Sequence, residues 1–279
     1  MNLEPLHLRG ILQCYRIRPD KALGQNFLAD HNTLLKIVRD AGIDPEDCVL
    51  EIGAGLGSLT RVLAVNARRV IAVELDPSLF SALEDVTLPF NNIQLIQGDI
   101  LEIPLEDLVE GHYQVVANIP YYITSAVIRR LLEAAIKPER ITLTIQREVA
   151  ERIVNQDEKM SLLSLSVQIY GNARIASHIP AECFYPQPTV DSSVLIIDVH
   201  EQPRLSDEKI RKLFQLAHAG FNQKRKMLRS SLRPLLGGDV DGISDLLEQA
   251  GIDPRRRPES LSLEDWIRLT EVVELRQGL

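Results

Sequence analysis

The chain is expected to be an α/β protein: a Rossmann-like, mostly parallel sheet covered by helices on both faces, followed by a smaller C-terminal all-α domain. Three observations predict this. Short apolar runs alternate with helix-period segments from Cys48 to Gln146, the pattern of a parallel sheet whose crossovers are helices. A glycine-rich stretch, Gly53-Ala-Gly-Leu-Gly57, joins one such run to the next helical segment. Beyond Pro203 only helical periodicity remains.

In order, residues 1–30 read as an irregular arm with a basic cluster of Arg9, Arg16, Arg18 and Lys21. Asp30 to Ala41 puts Leu34, Leu35 and Val38 on one helical face. Cys48–Ile52 is a buried strand, Ser58–Val65 a helix, Arg69–Glu74 a strand, and Pro77–Val86 a helix opened by proline in its first turn. Ile93–Gln97 and Tyr113–Ala117 are strands, Thr124–Ala135 a helix, Ile141–Gln146 a strand and Glu148–Val154 a short helix. Leu162–Tyr170 and Ser193–His200 read as further strands; with no long helix between them, antiparallel pairing at the sheet edge is expected. Helices follow at Ser206–Ala219, Lys224–Leu232, Ile243–Ala250 and Leu263–Leu275, the last with a capping box of Ser262 and Asp265. The expected domains are 1–203, including the arm 1–30, and 204–279.

Composition bounds the function. The chain has 279 residues, 45% hydrophobic and 25% charged, which suits a globular protein able to bury a core without staples. Cys14, Cys48 and Cys183 form no CxxC and the six histidines no HxxxH, so no metal site is expected, and free thiols suit a reducing compartment. Glu4, His7 and Arg9 interrupt any apolar stretch at the start, and no run reaches about 18 apolar residues, so neither a signal peptide nor a membrane span is expected. A net charge of −8 argues against a surface that coats nucleic acid as a whole. Charge is uneven, however: Arg204 to Arg233 holds nine basic residues against Asp207 and Glu208. Within it, Lys224, Arg225, Lys226 and Arg229 can neutralise RNA phosphates on a local basic face.

The candidate site residues lie at strand ends. Gly53 and Gly55 allow a tight turn and a close backbone approach to a ligand. Their GxGxG spacing differs from the GxGxxG of dinucleotide sites. Glu74 ends the next strand, where a carboxylate can accept both hydrogen bonds of a ribose diol; that feature serves NAD and S-adenosylmethionine alike. Asp99, past the third strand, can accept from an adenine amino group. The fourth strand ends in Asn118-Ile-Pro-Tyr121. Adenine N6 is a poor nucleophile because its lone pair is delocalised into the ring. Acceptors supplied by Asn118 and by the carbonyl of Ile119 or Pro120 would favour a pyramidal nitrogen, and Tyr121 would stack on the flipped base. Pro120 fixes the turn. Phe184, ahead of the Pro186-Gln-Pro188 loop, is the candidate for the opposite face of the base.

These residues resemble the ribosomal RNA adenine dimethyltransferase family, most nearly its bacterial small-subunit branch. The match runs along nearly the whole chain through Lys21-Ala-Leu-Gly-Gln-Asn-Phe-Leu28, Leu50-Glu-Ile-Gly-Ala-Gly-Leu-Gly57, Val73-Glu-Leu-Asp76, Gly98-Asp-Ile100, Asn118-Ile-Pro-Tyr121, Phe184-Tyr-Pro-Gln-Pro188 and Gly220-Phe-Asn-Gln-Lys-Arg-Lys-Met-Leu-Arg229. The resemblance implies a class I S-adenosylmethionine-dependent methyltransferase fold, with the arm residues Asn26 and Leu28 joining Gly53, Gly55, Glu74, Asp99 and Asn118 at the donor. It further implies transfer to two adjacent adenosines in a hairpin near the 3′ end of 16S rRNA, on the small ribosomal subunit. A cytoplasmic monomer without metal is expected. Three other readings are an N6-adenine methylase of large-subunit rRNA or DNA, an RNA-binding factor that has lost catalysis, and an NAD-dependent oxidoreductase. The last finds no hydride-site base.

Overall fold

The computed structural model describes residues 3–154, 159–223, 226–237 and 239–277. The chain divides into two compact units, one of residues 1–151 with 172–201, the other of 152–171 with 202–279.

The first unit begins with helix α1 (Leu8–Cys14), where an irregular arm was expected, and the two-residue strand β1 (Phe27–Leu28). Helix α2 (His31–Ala41) is capped by Asp30, whose side chain accepts from the Thr33 amide, and ends at Gly42. Then come β2 (Cys48–Ile52), α3 (Ser58–Asn66), β3 (Arg69–Glu74), α4 (Pro77–Thr87), β4 (Ile93–Gln97), β5 (Gln114–Asn118), α5 (Thr124–Glu133) and β6 (Arg140–Gln146). Helix α6 (Arg147–Val154) carries the chain into the second unit, which contributes α7 (Leu162–Tyr170). The chain returns through β7 (Gly171–Ile179), β8 (Phe184–Tyr185) and β9 (Ser192–Val199).

Seven strands form one sheet in the order β4-β3-β2-β5-β6-β9-β7. Strands β4, β3, β2, β5 and β6 run parallel, and β9 pairs antiparallel with β6, with Ile141 opposite Ile197. All five residues of β2 are buried because helices cover both faces of a parallel sheet. The chain order reverses at β2, between β3 and β5, so a crevice opens beyond the carboxyl ends of these strands. Separately, β1 and β8 form a two-stranded antiparallel ladder, Phe27 opposite Tyr185 and Leu28 opposite Phe184.

Leu162–Tyr170 is a helix, not the strand expected. From Leu163 to Ile169 apolar and polar residues alternate with period two, which imitates a half-buried strand. Ser164 and Ser166 are buried, however, so the polar positions mark no solvent face. The Ser161 hydroxyl caps the helix by accepting from the Ser164 amide. A helix buried nearly all round carries no amphipathic stripe to betray its period. The edge strand β7 was not foreseen, since its burial alternates only weakly along a polar sequence.

The second unit packs α7 with α8 (Asp207–Phe221), α9 (Leu228–Leu236), α10 (Val240–Gln249) and α11 (Leu263–Gln277). Trp266 is fully buried and stacks on Phe221 with ring centroids 5.9 Å apart. The expected capping box is present: the Ser262 amide donates to the Asp265 carboxylate at 3.0 Å, and the Asp265 amide to the Ser262 hydroxyl at 3.1 Å. Helix α9 begins at Leu228 rather than Lys224, because the residues that bury a face, Leu228, Ser231 and Leu232, start there. Lys226 lies in the preceding turn, its amide donating to the Gln223 carbonyl. Lys224 and Arg225 lie outside the described residues.

Candidate active site

The crevice holds about 1050 Å³ of open space counted out to its mouth, and it is built wholly from the first unit. Gly53, Gly55, Glu74, Asp99, Asn118, Pro120, Tyr121 and Phe184 all line it, as do Asn26 and Leu28 from the arm. Every donor-site and target-base residue expected from the sequence therefore converges on one cavity.

Each wall has a local cause. The Gly53 amide donates back to the Val73 carbonyl at 2.8 Å, tying the turn to β3. The Gly55 amide donates to one Glu74 carboxylate oxygen at 2.7 Å, and the Asp76 amide donates to the other at 2.8 Å. Glu74 is thus held rigidly at the end of β3 and is 6% exposed. Gly55 has φ +59°, and a Cβ there would meet the Phe27 ring at 3.1 Å, so this position excludes side chains for two independent reasons. Asp99 fixes its own loop by accepting from the Leu101 amide.

The arm is latched over this floor. The Gln25 amide group donates to Asp76 at 2.6 Å, while Asp76 also caps α4 at Ser78. Asn118 donates its side-chain N–H to the Asn26 carbonyl at 3.2 Å, which turns its side-chain oxygen into the acceptor available to a ligand. The Asn26 side chain itself donates to the Gly24 carbonyl. The β1–β8 ladder joins Leu28 to Phe184, both nearly fully buried, so Phe184 belongs to the hydrophobic core as well as to the cavity wall. Arg9 sits 4.9 Å over the Tyr185 ring and helps hold β8. The Tyr121 hydroxyl lies 2.8 Å from the hydroxyl of Ser192, which is fully buried at the start of β9.

The basic residues expected to meet RNA belong to the second unit. Lys226 is exposed, and Arg229 lies in a surface cleft with Asp241, Asp245, Glu248 and Asp253, so acids offset part of its charge.

The family described as ribosomal RNA adenine dimethylase matches residues 17–274 of the chain. The chain belongs to this family. The dimethylase is therefore an enzyme, a class I S-adenosylmethionine-dependent methyltransferase of adenine in ribosomal RNA. It is 43% identical over 263 residues to the ribosomal RNA small subunit methyltransferase A of Dehalococcoides mccartyi (strain CBDB1), covering 94% of this chain and 90% of that one. It is 38% identical to the protein of that name from Shouchella clausii (strain KSM-K16), covering 96% and 94%. Among solved structures it resembles a dimethyladenosine transferase from Plasmodium falciparum (TM-score 0.76, 25% identity, 91% and 98% covered). It also resembles the 23S rRNA methyltransferase ErmE (TM-score 0.71, 28% identity, 89% and 100% covered).

The dimethylase also places groups in its cavity to which sequence reasoning assigned no role. Glu51, one residue before Ile52 in the buried strand β2, is 1% exposed and lines the cavity. Burial pushes its carboxyl up to about 8; the nearby Thr60 hydroxyl opposes this and the Glu74 carboxylate adds to it. Thr60 helps little, since neither its hydroxyl nor Glu51 Oε2 finds a hydrogen-bond partner among the described residues. Burial likewise raises Glu74, against the backbone amides of Asp76 and Gly55 that favour its charge. Asp76 is held low: burial opposes its charge, but the Ser78 hydroxyl and amide and the Gln25 amide group outweigh it. A lone acid inside an apolar strand was the available signal for Glu51. Ser192 offered none.

Proposed function

We propose that the dimethylase transfers methyl groups from S-adenosylmethionine to N6 of two adjacent adenosines in a hairpin near the 3′ end of 16S rRNA, giving N6,N6-dimethyladenosine during small-subunit biogenesis. The observation that carries the reading is the meeting of Gly53, Glu74, Asp99 and Asn118, from the ends of four neighbouring strands, in one cavity roofed by the arm. In this reading Glu74 accepts from the ribose hydroxyls of the donor and Asp99 from its adenine amino group, while Asn26, Leu28, Gly53 and Gly55 shape the rest of its site.

The donor supplies a methyl group on a sulfonium, so the reaction is an in-line displacement. Asn118 and the carbonyl of Ile119 or Pro120 accept the amino hydrogens of the target adenine. This draws the N6 lone pair out of conjugation and toward the methyl. The nitrogen–carbon bond forms as the carbon–sulfur bond breaks, and the amino nitrogen sheds a proton. Catalysis is mainly positioning and electrostatic complementarity, and no metal is needed. Tyr121, anchored by Ser192, and Phe184 stack on the two faces of the base. The helical unit, residues 204–279 in the main, meets rRNA phosphates through Lys224, Arg225, Lys226 and Arg229. The enzyme acts as a cytoplasmic monomer without a membrane partner; among the described residues no helix is long and apolar enough to cross a membrane.

Mass spectrometry of small- and large-subunit rRNA, each incubated with enzyme and donor as assembled subunits, tests the proposal. Two doubly methylated adenosines, both near the 3′ end of the small-subunit RNA, are expected. Methylation of the large-subunit RNA alone would overturn the choice of substrate.

A further inference from the structure

Tyr122 stands next to the clamp tyrosine, and the chemistry above does not use it. The contrast between the two rings is plain. Tyr121 is half-buried and tethered through its hydroxyl to Ser192. Tyr122 is 60% exposed, the most exposed of the phenylalanine, tyrosine and tryptophan rings among the described residues, and its hydroxyl makes no hydrogen bond there. It still lines the cavity, so it sits at the mouth. Its backbone is fixed in the tight turn Tyr121–Ile123 behind Pro120, with the Ile123 amide donating to the Pro120 carbonyl.

The ring is also seated on one side. Gly24 lies so close that a Cβ there would fall 3.5 Å from Tyr122 Cδ1 and 3.6 Å from Cε1, and its φ of +61° favours glycine in any case. Gly24 closes a turn by donating its amide to the Lys21 carbonyl. Lys21 in this turn, and Arg18 and Arg16 in the segment leading into it, are exposed, and none forms an ion pair among the described residues. The one acid between them, Asp20, spends a carboxylate oxygen on the Ala22 amide. The mouth therefore presents a flat, held, solvent-facing ring packed against a turn that opens on the exposed cation Lys21.

Pulling a base out of its stack leaves its neighbour without a stacking partner, and an aromatic face replaces that partner at low cost. We propose that Tyr122 is the stacking platform for the nucleotide adjacent to the target, with the cationic turn at Lys21 facing the phosphate between them. The proposal rests on the reading of Asn118 as the adenine clamp and deepens it. Of two adjacent adenosines, one occupies the clamp while the other rests on Tyr122.

The test is a two-by-two comparison of methyl transfer. Wild-type enzyme and Tyr122→Ala act on small subunits carrying either intact rRNA or rRNA with one of the two adjacent adenosines made abasic. Tyr122→Ala is expected to lower kcat/KM about tenfold on intact RNA, within the range of one base–aromatic stack. The abasic neighbour is expected to cost the wild type about as much. On abasic RNA the two enzymes are expected to match, and Tyr122→Phe is expected to restore the rate on intact RNA. An undiminished loss on abasic RNA, as a folding defect would give, overturns the platform; so does a wild-type rate for Tyr122→Ala on intact RNA. Those outcomes leave the adenine clamp standing. Failure of the wild type to methylate intact small-subunit RNA would overturn the clamp reading and the platform together.

Discussion

Replacing Glu51 by glutamine removes a titratable group from the floor of the donor cavity while keeping its shape. In the native dimethylase the carboxyl is 1% exposed and releases its proton only near pH 8, against an ordinary value of 4.5. Between those two pH values the folded chain holds a proton that the unfolded chain has lost. Stability contributed by a raised carboxyl is therefore full below the unfolded value and declines as pH rises through the window. The shift corresponds to about 5 kcal/mol in all, of which about 3 to 4 kcal/mol falls between pH 5 and pH 8. Urea unfolding of donor-free protein at intervals from pH 5 to pH 9 would read this difference. The single Trp266 reports on the helical unit, so the readout should be hydrogen exchange at the β2 amides of Val49 to Ile52. The wild type is expected to lose about 3 kcal/mol or more relative to Glu51→Gln between pH 5 and 8. Parallel pH profiles would refute the reasoning, because they would mean that Glu51 is solvated or paired in the native state.

Other substitutions separate the remaining roles. Asn118→Ala is expected to abolish methyl transfer while donor binding stays measurable by calorimetry; retained turnover would remove Asn118 from the chemistry. Phe184→Ala should slow transfer more than it weakens RNA binding, and because Phe184 is buried in the core it should also cost about 3 kcal/mol of stability in urea titrations. A normal rate in that variant would end its stacking role. Reversing Lys224, Arg225 and Lys226 to Glu should weaken binding to small ribosomal subunits and flatten its salt dependence; an unchanged affinity would place the RNA face elsewhere.

The elements that could be read in advance share a physical property: their determinants are local. The Gly53 to Gly57 turn, the Ser262 cap and the apolar runs of β2 to β6 each act within a few residues of themselves. Chemistry carried at strand ends was legible for the same reason. Once a parallel sheet is granted, Gly53, Glu74, Asp99 and Asn118 must gather at one edge.

What the sequence by itself determined was the parallel part of the sheet, its ligand-bearing edge and the type of chemistry that edge supports. Only the tertiary structure decided the parts that depend on distant partners. Phe27 and Leu28 became a strand because Tyr185 and Phe184 offered a ladder far along the chain. Asn118 acquired a defined orientation from the Asn26 carbonyl, and Tyr121 from Ser192. Leu162–Tyr170 became a helix because its serines could be buried, which no alternation of residue types reveals. Glu51 became a proton-holding acid through the depth of its burial, a property of everything packed around β2 and not of the strand itself.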